Sequence, residues 1–123
     1  MNTFETVRDG ILTWYQKNAL KNPEYMQLTK NEKDILIIDL TFDHCLAQIT
    51  VNEPSFVPYK YVYFEAGTIE SQKAVESNQP EMIYLFYGRE GMTIKEITDA
   101  LDAAFQFCIA YVPQLIGTDE RRF

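Results

Sequence analysis

The sequence predicts a single α+β domain over residues 1–123: an antiparallel sheet of four to five strands, with N-terminal and C-terminal helices packed on one face. Three observations lead there. Near both ends of the chain, apolar residues recur at three- and four-residue spacing, the period of an amphipathic helix. Between them the period drops to two, as it does in strands. The strand-like runs follow one another across short turns, which favours antiparallel pairing over helical crossovers.

The first helix is expected over residues 3 to about 18. Asn2 or Thr3 can cap it, and Phe4, Val7, Ile11, Trp14 and Tyr15 fall on one face. Gly10 weakens a helix by about 1 kcal/mol relative to Ala, so it is either tolerated or marks a close approach. The helix has to stop before Asn22-Pro23, because a proline pushes its predecessor out of the α region. Residues 23–33 read as connecting chain, with Tyr25, Met26 and Leu28 as anchors and a short first strand as the other option.

Residues 34–42 form the first clear strand. Leu36, Ile38, Leu40 and Phe42 share one face; Ile35, Ile37, Asp39 and Thr41 share the other. A turn at Asp43-His44 leads into residues 45–52, where Cys45, Ala47, Ile49 and Val51 alternate with polar residues and Leu46. The third strand runs from Phe56 or Tyr59 to Ala66, with Pro58 marking its early edge. Residues 67–81 are polar and read equally as a loop or a short helical turn. The fourth strand is residues 82–87. The last helix opens on Thr93-Ile94-Lys95-Glu96, a capping box, and carries Ile94, Ile97, Leu101, Ala104, Phe105, Cys108, Tyr111 and Val112 on one side.

The formal net charge is −7, and the longest basic grouping is Arg121-Arg122. Release of counterions from a phosphate backbone needs clustered Lys and Arg, so nucleic acid is not an expected partner. An anionic membrane surface is disfavoured by the same sign. No basic-then-apolar leader opens the sequence, and no apolar run reaches membrane-spanning length, so the expected location is the cytoplasm. Cys45 and Cys108 read as reduced, buried thiols.

Little chemistry stands out. His44 is the sole histidine, so mechanisms that need two are excluded. His44 and Cys45 are neighbours whose side chains would leave an extended strand on opposite faces, and neither cysteine has the companions of a zinc site. Asp39 interrupts an otherwise apolar strand. Burial there would raise its pKa, but a solvated second face is the simpler account. The glycines at 88 and 91 precede a helix without any phosphate-loop sequel. No catalytic, metal-binding or cofactor-binding residue is therefore nominated.

The most distinctive side chains are Tyr59, Tyr61 and Tyr63, alternating along one strand with Glu65 in line, and with Tyr84 or Tyr87 available next door. Tyrosine combines a large contact area with few rotors and a polar tip, and it is enriched at interfaces. The leading expectation is a non-catalytic, soluble protein-interaction domain. It would bind a protein partner or form a homodimer, without a cofactor, through Tyr59, Tyr61, Tyr63, Glu65 and Asp39. The alternative is a small enzyme or small-molecule-binding domain with a pocket between sheet and helix near Asp39, His44 or Tyr63. Small size, acidity and helix–strands–helix order are broadly similar to bacterial secretion-chaperone-like domains and to small acidic toxin-immunity proteins. That likeness lies in element order, and no motif carries it.

Overall fold

The computed structural model describes residues 3–53, 61–89 and 91–113. In chain order they form α1 (Phe4–Lys21), β1 (Met26–Glu32), β2 (Ile35–Thr41), β3 (Leu46–Asn52), β4 (Val62–Thr68), α2 (Gln72–Ser77), β5 (Glu81–Tyr87) and α3 (Ile94–Ala110). The strands make one sheet in the order β1-β2-β3-β4-β5, with every neighbouring pair antiparallel. The fold is thus an α+β meander with a helix at each end. Tyr59 and residues 56–58, expected to start the third strand, lie outside the described residues.

Period-two alternation puts one row of apolar side chains from each central strand on the same side. Leu36, Ile38 and Leu40 of β2, Ala47, Ile49 and Val51 of β3, and Val62, Phe64 and Ala66 of β4 are all buried there. The helices close over them. From α1 come Phe4, Val7, Ile11 and Trp14; from α3 come Ile97, Leu101, Ala104, Phe105 and Cys108. Helix α1 lies over β1, β2 and β3, α3 lies over β4 and β5, and the two helices touch.

Local signals account for the helix ends. Thr3 caps α1 by accepting from Thr6 N, and the helix runs on to Lys21 before Asn22 ends it ahead of Pro23. The capping box of α3 is complete: Thr93 Oγ1 accepts from Glu96 N, and Glu96 Oε1 accepts from Thr93 N. The apolar stripe of α3 ends at half-buried Tyr111. Val112 lies past the helix and is 67% exposed. At Gly10, α1 passes so close to α3 that an added Cβ would sit 2.7 Å from Ile94 Cγ2.

Two open expectations are decided. Residues 26–32 form a strand, paired with β2 through a bulge at Thr29. The polar stretch after β4 contains α2, capped by Ser71 and ended by Asn78 in the left-handed region at φ 57°. Among the described residues, no helix is long and apolar enough to cross a membrane.

Candidate functional site

Helices α1 and α3 occupy one side of the sheet, and the opposite face is the one they leave uncovered. Strand register determines which side chains meet there. One row across that open face is Gln27, Asp39, Gln48, Glu65 and Leu85; the next is Lys30, Ile37, Thr50, Tyr63 and Tyr87. A third runs Thr41, Leu46, Gly67 and Met82, so Leu46 and Met82 flank a residue with no side chain.

Asp39 lies half-buried on this face. Its carboxylate accepts from Thr29 Oγ1 at 2.5 Å and from Gln48 Nε2 at 2.8 Å. It is therefore a member of a polar cross-strand network, and the simpler account of its place in an apolar strand holds. Tyr63 packs edge-on against Tyr87, with ring centroids 5.6 Å apart, and its hydroxyl donates to Asn52 Oδ1 at 3.3 Å. Glu65 is exposed in the neighbouring row.

Tyr61 departs from the expected stripe. It precedes Val62, the first residue of β4, and its carbonyl still accepts from Asn52 N of β3 at 2.9 Å. The ring packs edge-on against Phe4 of α1 at 5.9 Å, on the helix-covered side, because apolar surface is available there. Tyr84 also belongs to that side, packed against Phe64 and Phe107. Of the tyrosines considered, Tyr63 and Tyr87 meet on the open face, while Tyr59 lies outside the described residues.

The cysteines are both free and buried. Cys45 Sγ lies 3.7 Å from the carbonyl oxygen of Cys108. Burial pushes the Cys108 thiol up to about 12, reinforced by neighbouring Cys45, and burial likewise raises Cys45. Thiols held protonated are poor nucleophiles. Among the described residues, no group of three His, Cys, Asp or Glu side chains is placed to hold a metal ion. A broad groove of about 630 Å³ runs between α1 and α3, lined by Asp9, Asp99 and Asp102 as well as Lys17 and Lys21. It presents no single sign of charge.

Sequence reasoning missed the apolar side chains of the open face. Leu46, Met82 and Leu85 were visible as letters, but only the register brings Leu46 and Met82 to either side of Gly67. Fold and face together define a class: an α+β meander domain with α1 and α3 on one side of a five-stranded antiparallel sheet. No protein-family model matches the chain, and no curated protein or solved structure is similar enough to count as a match.

Proposed function

We propose that the chain is a non-catalytic protein-binding module that docks a partner on the sheet face opposite α1 and α3. The exposure of large apolar side chains on that face carries the reading. Leu46 is 62% exposed, Met82 50%, Leu85 49% and Tyr87 41%. Apolar side chains grouped on one face are a common mark of an interaction surface. Ile35 and Ile37, half-buried on the same face, extend it toward β1.

Charge narrows the partner. Among the described residues, the face carries the carboxylates of Glu32, Asp39 and Glu65 and the ammonium of Lys30, within a chain of net charge −7. Two copies placed face to face would oppose like charges, which disfavours a homodimer by this route. A protein segment with apolar anchors and flanking Lys or Arg satisfies both features, and a chaperone-like or immunity-type role would supply such a partner. Nucleic acid and anionic membranes have the wrong sign for this face. Two free thiols suit a reducing compartment such as the cytoplasm.

The test uses charge reversal of the apolar anchors. A partner isolated from the source cells with the wild-type chain is titrated against Leu85→Glu and, as a control, Leu20→Glu on α1. Leu20 is 86% exposed and lies on the helical side. The expected result is at least a tenfold loss for Leu85→Glu and none for Leu20→Glu. Equal binding by Leu85→Glu and wild type would overturn the assignment.

A further inference from the structure

The turn between β2 and β3 does more than reverse the chain. Together with the link from β4 to α2 it encloses a cleft of about 410 Å³, within the ~300–1,000 Å³ range of small-molecule pockets. Phe42, Cys45, Leu46, Ile69 and Pro80 supply its apolar walls. Its polar groups are few and tied together. Buried Thr68 donates from Oγ1 to the His44 carbonyl at 2.7 Å and accepts from Glu70 N at 3.1 Å. His44 Nδ1 and Glu70 Oε1 are 2.8 Å apart. These bonds join the two loops, so the cleft is shaped before any ligand arrives.

Its permanent charges are negative, and His44 is the one basic side chain in its lining, held against Glu70. Asp43 and Glu70 line the cleft, and no Lys or Arg does. Asp43 makes no hydrogen bond or ion pair among the described residues. Carboxylates beside low-dielectric walls act more strongly on a cation than they would in open water. An apolar body would fill the walls and a cationic head would answer the carboxylates, whereas an anionic head would be repelled.

We infer that this cleft binds a small molecule carrying a protonated amine on an aromatic or aliphatic body, with Glu70 as the principal contact for the ammonium. The cleft lies at one end of the docking face and shares Leu46 and Gly67 with it.

Tryptamine serves as the probe and 3-indolepropionate as its anionic counterpart. Binding to the whole chain is followed by calorimetry and by backbone amide shifts in 1H–15N spectra. Tryptamine binds with a dissociation constant on the order of 0.1–1 mM, as expected for a fragment of this size. Its shifts concentrate at His44, Thr68, Ile69 and Glu70, and 3-indolepropionate binds at least tenfold more weakly. Glu70→Gln weakens tryptamine about tenfold, the effect of removing one charge-assisted contact. Ile69→Lys, at a position 71% exposed and so tolerant of the change, places an ammonium at the mouth and reverses the preference between the two probes. Equal binding of amine and acid by the wild type, an unchanged affinity in Glu70→Gln, or no shifts at these residues would each overturn the assignment.

Discussion

Gly10 of α1 and Ile94 of α3 meet with no room for a methyl group between them: an added Cβ would lie 2.7 Å from Ile94 Cγ2. Ile94 is the first residue of α3 and β-branched, so its χ1 cannot swing aside freely. Alanine gains about 1 kcal/mol in helix propensity over glycine. Forcing a methyl into packed space costs about 1–3 kcal/mol. Gly10→Ala is expected to lower stability by about 1 kcal/mol net on these terms. The double variant with Ile94→Ala recovers the propensity gain from residue 10. Urea midpoints for the wild type, both single variants and the double variant measure this coupling.

The two helices are also joined by a hydrogen bond. Buried Trp14 donates from Nε1 to Asp102 Oδ1 at 2.8 Å. Asp102→Ala leaves the indole N–H without that acceptor and should cost about 1–2 kcal/mol. Asp102→Asn keeps a carbonyl oxygen at the position and should recover most of the loss. Chemical denaturation followed by tryptophan fluorescence reads both, since Trp14 is the single tryptophan.

Removing the cap of α3 isolates a local effect. Thr93→Ala deletes the hydroxyl that accepts from Glu96 N and leaves the packing of α3 unchanged. The expected loss is about 1 kcal/mol, and Thr93→Ser should restore it. Thermal unfolding of the three proteins provides the comparison.

Stability should fall in alkali, with the cysteines contributing. The ordinary thiol value is 9.0, whereas folded Cys108 stays protonated to about 12, and Cys45 is raised as well. Above pH 9.0 the unfolded chain therefore binds fewer protons than the folded one, and stability declines until the folded thiols ionise. Tyr111 adds to the same trend, being raised first by burial and then by Glu81. Cys108→Ala should flatten the decline in urea midpoint between pH 8.5 and 11, a window set by these shifts. A thiol reagent near pH 8 should find both cysteines in urea and neither in the native chain.

Most of the architecture was legible because its signals are local or periodic. The capping box at Thr93 and Glu96, the stop before Pro23 and the alternation in β2 and β3 each act within a few residues. Strand β1 was less legible. Only Met26 and Leu28 keep its apolar phase before the bulge at Thr29 shifts the register, and polar Lys30, Asn31 and Glu32 follow. Its pairing to β2 satisfies backbone groups that β2 would otherwise leave open. Tyr61 shows the opposite failure. Its alternation with Tyr63 was real in the letters, but at the start of β4 its ring turns to Phe4 of α1 while its carbonyl stays bonded to Asn52 N.

The sequence by itself determined the class of fold, the caps that open α1 and α3 and most residues of the core, because apolar spacing records which side of each element must leave water. It also made Cys108 a core residue before any coordinates. Tertiary structure alone decided what the surface offers. Register put Leu46 and Met82 on either side of Gly67, and Tyr63 beside Tyr87, across strands separated in the chain. Loop packing brought His44 to Glu70 from 26 positions away. Such meetings depend on pairings between distant segments, and the periodicity within one segment carries no record of its neighbour.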